Sequence, residues 1–175
     1  QNPGPVMFRS GAESFPDNLN RFVESTISPA DIVGGRYYRY VQFQATPPDV
    51  KRKEMEREGL KFLAYIPHAT YLVSIPANYD LKSLLNHPVR SVVRPNSLHK
   101  VSPQLVEESL PDWAVNGQDI DLIVQFPRDL SPEEVKAQLR IRMYEILEEV
   151  KGEPTLYLRA PIDKLYHLAD LPFIT

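Results

Sequence analysis

Apolar and polar residues follow patterns that predict a chain of short strands and helices. Aromatic and β-branched residues dominate Arg36–Phe43, which is typical of a strand. The charged segment Asp49–Glu58 predicts a helix, and Gly59 follows it where a left-handed residue ends a helix. Two strands are then predicted at Lys61–Ile66 and Thr70–Ile75. A short helix at Leu81–Asn86 and a fourth strand at Val89–Arg94 follow them. This order is that of a split βαβ, or ferredoxin-like, unit.

The second half of the chain predicts the same order of elements. Asn116-Gly117 lies between apolar residues and is a strong hairpin signal, and Asp121–Phe126 after it is typical of a strand. Ser131-Pro132-Glu133-Glu134 combines an N-cap, a proline in the first turn and a capping-box glutamate, which predicts the start of a helix. A strand and a short helix are then predicted at Thr155–Arg159 and Ile162–Ala169.

Matching residues at nearly constant spacing indicate an internal repeat. Val41-Gln42-Phe43 recurs as Val124-Gln125-Phe126, 83 positions later, and Thr70 recurs as Thr155, 85 positions later. The repeat conflicts with the helical spacing of apolar residues, which by itself predicts one helix from Val135 to Val150. We follow the repeat, because the second sheet needs a strand near Tyr144–Val150.

These patterns predict an α+β fold of two ferredoxin-like units in tandem, each an antiparallel sheet with helices on one face. We expect an irregular arm over residues 1–34, with a short helix around Leu19–Ser25. The first unit is predicted over 35–100, a bridge with a hairpin over 101–117, and a truncated second unit over 118–175. The predicted cores are Val41, Phe43, Leu63, Val73, Ile75, Leu81 and Leu84 in the first unit, and Leu122, Val124, Phe126, Val135, Leu139, Leu156, Leu158 and Leu165 in the second.

Composition narrows the class of protein. The 175 residues are 42% hydrophobic and 25% charged, as in ordinary globular domains, and the 17 prolines favour short elements. A net charge of −3 does not favour nucleic acid as a partner, and the apolar runs are too short for a membrane span. The chain has no cysteine, which excludes disulfides and thiolate chemistry. Because it begins at Gln1 without an initiator Met or a leader, the chain is either a processed mature chain or a trimmed one. We favour removal of a signal peptide and expect the protein to be secreted, periplasmic or on the cell surface.

The sequence contains no motif for hydrolysis, cofactor binding or metal catalysis, so we expect no catalytic, cofactor-binding or metal-ligating residues and no enzyme activity. His68, His87 and His99 fall in turns or linkers and are expected to be exposed. Asp163 and His167 are spaced as a helical pair, but no third ligand is near, so a surface pair is favoured over a metal site.

One face of the first predicted sheet is the candidate partner-binding surface. Val41 and Phe43 alternate with two tyrosines, which the strand period places on the opposite face from the helices. That face is expected to be open and to carry Tyr38, Tyr40, Gln42, Leu72 and Ser74. Tyrosine is enriched at interfaces, so the face is expected to dock either on the second unit or on a partner protein.

Two long stretches resemble a known class of region. The strand Arg36–Phe43 with the charged helix ending at Gly59, followed by Leu63–Pro76, is similar to the propeptide-like N-terminal region of secreted subtilisin-like serine peptidases. Lys100–Pro103 with Leu110–Ala114 resembles the bridge between two such units, and Leu168–Ile174 the approach to the last strand. Tandem units of this kind are typical of subtilases of Bacteroidetes-type bacteria.

The resemblance implies a non-catalytic role beside a peptidase. It implies that the sheet docks on the peptidase domain of the same precursor, in cis or in trans, and acts as a folding chaperone, an inhibitor or an accessory docking domain. The peptidase motifs around Asp, His-Gly-Thr and Gly-Thr-Ser do not occur in this sequence, and Thr175 falls where a last strand is expected to start. We therefore expect an N-terminal fragment. An independent protein- or peptide-binding module is the alternative.

Overall fold

Two four-stranded antiparallel sheets, one in each of two units, organise the chain. The computed structural model describes residues 2–106 and 110–175, and the units divide the chain into Gln1–Pro95 and Asn96–Thr175. The fold is α+β, with short helices and antiparallel strand pairing throughout the described sheets.

The first unit contains a small hairpin and a four-stranded sheet. The sheet has the order β4-β5-β3-β6, and the hairpin pairs β1 with β2. Two 3-10 helices lie at Pro29–Asp31 and Leu81–Asn86. In chain order the elements are β1 (Val6–Phe8), β2 (Gly11–Glu13), α1 (Leu19–Val23), β3 (Arg36–Phe43), α2 (Asp49–Arg57), β4 (Lys61–Ile66), β5 (Thr70–Pro76) and β6 (Val89–Val93).

The second unit has the sheet order β7-β8-β10-β9. A 3-10 turn at Ile162–Lys164 leads into its last helix. Its elements are α3 (Ser97–Lys100), α4 (Pro103–Val106), β7 (Val115–Asn116), β8 (Asp119–Gln125), α5 (Pro132–Ile141), β9 (Glu145–Glu149), β10 (Thr155–Pro161) and α6 (Leu165–Ala169). The predicted bridge, residues 101–117, includes residues 107–109, which lie outside the described residues.

Strand register confirms the internal repeat. In the first sheet Tyr40 of β3 is opposite Leu72 of β5, and in the second Ile123 of β8 is opposite Tyr157 of β10. These partners are separated by the same 83 and 85 positions that the sequence matches give. Each position on one sheet therefore has a defined counterpart on the other.

The end of α5 decides between a continuous helix and a strand. The helix ends at Ile141, Met143 takes a left-handed φ of 65°, and the Tyr144 amide donates to the Leu139 carbonyl at 3.1 Å. The predicted strand over Tyr144–Val150 is confirmed as β9 (Glu145–Glu149). Gly59, with φ 102°, ends α2 in the same way, because the Leu60 amide donates to the Met55 carbonyl at 3.3 Å.

Most of the predicted core is buried, and two of its residues are not. All eight predicted residues of the second unit are buried, and so are five of the seven in the first. Leu63 is only half-buried because β4 bulges between Phe62 and Ala64, and Phe62 takes the place opposite Val73. Leu81 is also half-buried, since it lies on the rim of the core in a 3-10 helix.

Other local expectations need correction. The arm is not irregular throughout, because β1 and β2 form a hairpin in it, although the predicted helix is found at Leu19–Val23. Ser131 lies at the N-cap of α5, but its side chain makes no capping hydrogen bond. The Asn116-Gly117 hairpin is confirmed, with Gly117 at a left-handed φ of 66°.

Candidate functional site

The predicted partner-binding residues do share one face of the first sheet. Tyr38 is opposite Ser74, Tyr40 is opposite Leu72, and Gln42 follows on the same side of β3. The other side of β3 carries Tyr37, Val41 and Phe43, which pack with α1, α2 and the second 3-10 helix in the core. In each unit we call the side of the sheet that faces away from the hydrophobic core of that unit the outer face.

The outer face of the first sheet is not open, and this expectation is wrong. Tyr38 is 3% exposed and Tyr40 is 7% exposed, and Gln42, Leu72 and Ser74 are buried as well. The residues that cover the face belong to the N-terminal segment of the same unit. The alternation along β3 placed the side chains correctly, but it could not show what covers them.

Two phenylalanines of the N-terminal segment pack against the centre of the face. The Phe8 and Phe15 rings lie 5.0 and 6.3 Å from the ring of Tyr40, measured between centroids, and 5.9 Å from each other. Burial raises the pKa of Tyr40 to about 12, and the charge of Glu13 adds to this effect. Phe8 and Phe15 stand in a segment rich in proline and glycine, and apolar rings in such a segment are the sequence feature that indicates packing against the sheet.

Hydrogen bonds hold the same segment along the face and its edge. The Gln42 side-chain amide donates to the Gly4 carbonyl at 3.0 Å and to the His68 carbonyl at 3.2 Å. Arg90 donates to the Phe15 carbonyl at 2.9 Å and to the Gln42 amide oxygen at 2.8 Å. The first sheet therefore holds its N-terminal segment, which contains the extended strand β1 and turns back as β2, through aromatic contacts and main-chain carbonyls together.

A second cluster secures the covered sheet at its other end. Asp31 accepts hydrogen bonds from the buried Arg39 at 2.7 Å and from Arg94 at 3.2 Å. Although burial raises the pKa of Asp31, the hydrogen bond and charge of Arg39, with those of Arg94, hold it below its ordinary value. The pair is structural, because both partners lie within the unit and are almost fully buried.

The outer face of the second sheet has no such cover among the described residues. The counterparts of Tyr40 and Leu72 are Ile123 and Tyr157, which face each other across β8 and β10. Ile123 is 59% exposed and Tyr157 is 38% exposed. The two equivalent faces thus differ in exposure. The N-terminal segment covers the first, and the second presents a β-branched and an aromatic side chain to solvent.

Charge surrounds these two apolar side chains. Arg159 donates two hydrogen bonds to Asp121, at 2.7 and 2.8 Å, and these bonds hold the pKa of Asp121 below its ordinary value. Glu145 is opposite Arg159, and Glu148 is opposite Tyr157 on the neighbouring strand β9. The face is therefore apolar at its centre and mainly acidic around it.

A groove of about 600 Å³ lies at one end of the second sheet. Its polar lining residues include Gln125, Arg128, Glu149, Glu153 and Thr155. Gln125 is the counterpart of Gln42, whose amide binds the Gly4 carbonyl in the first unit. The groove thus opens at the place where the first unit receives its own N-terminal segment.

One histidine differs from expectation. His87 is buried rather than exposed, and its Nε2 lies 2.9 Å from Glu58 Oε1. Tyr79 donates to the same carboxylate at 2.7 Å, and burial together with this bond raises the pKa of Tyr79. This cluster joins the end of α2 to the segment before β6.

The described residues contain no group of three His, Asp or Glu side chains placed to hold a metal ion. Asp163 and His167 are both exposed on the surface of the second unit. Across residues 2–106 and 110–175, none of the helices has the length and apolar character that a membrane crossing needs.

A family comparison places the first unit. The family model described as a domain of unknown function, DUF8729, matches residues 8–96. This chain belongs to the DUF8729 family. The match begins at Phe8, so it contains both covering phenylalanines, Phe8 and Phe15, and all four strands of the first sheet. No curated protein and no solved structure matches the chain.

Proposed function

We propose that this chain is a non-catalytic protein-docking region that precedes a secreted subtilisin-like peptidase domain and binds it. In this role it assists folding of the peptidase, inhibits it, or serves as an accessory docking domain, in cis or in trans. The observation that carries the proposal is the pair of equivalent sheet faces, one filled by an extended segment and the other exposing Ile123 and Tyr157.

The strand order supports the propeptide-like form of the proposal. The order β4-β5-β3-β6 of the first sheet is that of a ferredoxin-like unit, and three strands of the second sheet, β8, β10 and β9, follow the same order. In the second sheet β7 pairs with β8 at the edge where β6 pairs with β3 in the first. Helices pack on one side of each sheet, and among the described residues only the second sheet leaves apolar side chains exposed on its other side. The Thr175 amide donates to the Gln125 carbonyl at 2.9 Å, at the end of β8 that corresponds to the start of β6 pairing.

The docking surface in this proposal is the outer face of the second sheet. An exposed apolar centre with a polar rim is the usual arrangement of a protein interface. The corresponding face of the first sheet is already occupied, so Tyr38 and Tyr40 cannot contact a partner while the N-terminal segment is in place.

The test begins with the gene sequence that follows Thr175. If it encodes a peptidase domain, that domain is expressed separately and titrated with this chain by calorimetry. Ile123→Asp and Tyr157→Ala are each expected to weaken binding at least about tenfold, as for residues at the centre of an interface. Ile141→Ala is the matched control, because Ile141 is exposed on α5, away from the face.

Two results contradict the proposal. Binding that is unchanged in Ile123→Asp and Tyr157→Ala excludes the outer face as the docking surface. A gene without a peptidase domain excludes the peptidase as partner in cis and favours the alternative, an independent module for binding a protein or peptide. That alternative is supported by the extended segment that the first sheet already holds.

A negative activity belongs to the same proposal. The purified chain is expected to hydrolyse no peptide, ester or phosphate substrate. Turnover that persists through purification and is lost in Asp163→Ala or His167→Ala contradicts it.

A further inference from the structure

We propose that the outer face of the second sheet binds an extended polypeptide segment in which an aromatic side chain stands next to a basic one. This inference rests on the proposed function in taking that face as the docking surface, and it adds the chemistry of the ligand. The first sheet provides the geometry for the aromatic side chain, because its outer face holds Phe8 at the end of β1, and Arg9 follows Phe8 in the exposed turn.

Position by position, the second face has the groups that such a segment needs at its centre. Ile123 and Tyr157 stand where Tyr40 and Leu72 stand in the first sheet, and Tyr40 receives the Phe8 ring at 5.0 Å. Both side chains are exposed, so an aromatic ring placed there removes apolar surface from water.

The end of the face has a donor for the main chain of the ligand. Gln125 is the counterpart of Gln42, which donates to the Gly4 carbonyl at 3.0 Å. In the second unit the side chain of Gln125 opens onto the groove of about 600 Å³. A volume of this size is within the range of ligand-binding pockets.

Charge selects the basic residue. Asp119, Asp121, Glu145 and Glu148 lie on the face with a single guanidinium, that of Arg159. Arg159 is committed to Asp121 through two hydrogen bonds, which leaves the excess of carboxylates for a cation of the ligand. An acidic or purely apolar segment is disfavoured by the same charges.

The probe is a synthetic peptide of residues 3–12 of this chain, with blocked termini. It contains Pro3, Gly4, Phe8 and Arg9, and its only charged side chain is that of Arg9. The full chain, isotopically labelled, is titrated with it, and amide chemical shifts report where it binds. We expect saturable shifts at Ile123, Gln125 and Tyr157.

Variants of the peptide and the protein test the chemistry. Phe8→Ala in the peptide is expected to weaken binding at least about tenfold, and Arg9→Ala about threefold at low salt, with a loss of salt dependence. Ile123→Asp in the protein is expected to abolish the shifts, while Ile141→Ala leaves them unchanged.

Three outcomes overturn the inference. The first is a peptide that produces no saturable shifts, and the second is one whose binding is unaffected by Ile123→Asp. The third is a set of shifts confined to Tyr38, Tyr40 and Gln42, which means that the peptide displaces the chain's own segment from the first sheet. Any of these can occur while a peptidase domain still binds through Ile123, so failure of this inference is distinguishable from failure of the proposed function.

Discussion

Replacing Phe15 by alanine should loosen the N-terminal segment from the first sheet. Phe15 is only 3% exposed, and its ring lies against Phe8 and Tyr40. The substitution removes the anchor of the segment and leaves its main-chain carbonyl bond to Arg90 without the packing that surrounds it.

The magnitude follows from where Phe15 lies. Truncating a fully buried phenylalanine to alanine in a core costs about 3–5 kcal/mol. A terminal segment can detach while the sheet stays folded, so the loss in global stability cannot exceed the free energy that docks the segment. We therefore expect about 2–3 kcal/mol, measured as easier local opening of the segment.

Trypsin cleavage after Arg9 measures that opening, because the residues on both sides of Arg9 are paired as β1 and β2 and have to separate before a protease can bind them in extended form. A loss of 2 kcal/mol should speed cleavage about 30-fold, since every 1.4 kcal/mol is a factor of ten. Met7→Ala is the matched control, because Met7 is on β1 but 44% exposed, and it should cleave at the wild-type rate. Equal cleavage rates and urea midpoints for Phe15→Ala and wild type would show that the phenylalanine does not hold the segment.

Other substitutions test the packing around the two faces. Asp31→Ala leaves the buried Arg39 without its carboxylate and should lower the free energy of unfolding, measured in urea, by about 2–4 kcal/mol. Because folding lowers the pKa of Asp31, its contribution to stability is present above about pH 4 and is lost as the pH falls further. The variant should therefore lose less stability than wild type on acidification, and an equal loss would contradict this. Gln42→Leu removes both bonds that a fully buried amide donates to carbonyls and the bond it accepts from Arg90, and it should cost about 2 kcal/mol by thermal denaturation; a loss below the error of the measurement would mean that these three bonds together add nothing. Met143→Gly should stabilise the second unit by about 0.5–1 kcal/mol, since glycine adopts the left-handed backbone of this exposed position without strain. Gly59→Ala, at the equivalent turn, should destabilise the first unit, and a change of the same sign in both variants would show that the left-handed backbone does not decide the stability of these turns.

Local patterns were sufficient for the elements that local chemistry controls. The strand Arg36–Phe43 and the hairpin at Asn116-Gly117 follow from side-chain alternation and from the left-handed preference of glycine. The repeat added what periodicity missed, since it placed a strand after α5 although no glycine marks the break there. Met143 adopts the left-handed conformation that Gly59 provides in the first unit, so composition at that turn gave no signal.

The function of a sheet face depends on what lies against it, and this is where sequence patterns stop. Alternation along β3 correctly put Tyr38 and Tyr40 opposite the core, but the same pattern describes an open face and a covered one. The difference comes from Phe8, Phe15 and Gly4, which are some 30 positions away and carry no periodicity of their own.

By itself the sequence determined the α+β class, the two-fold repetition of the unit and the side of each strand on which a residue lies, because these depend on neighbours along the chain. Only the tertiary structure decided that the first outer face is filled and that the second exposes Ile123 and Tyr157. It also buried His87 against Glu58 and shifted Leu63 out of the core through a bulge. Burial depends on contacts between segments that are distant in sequence, and a local pattern of residues does not determine the free energy of those contacts.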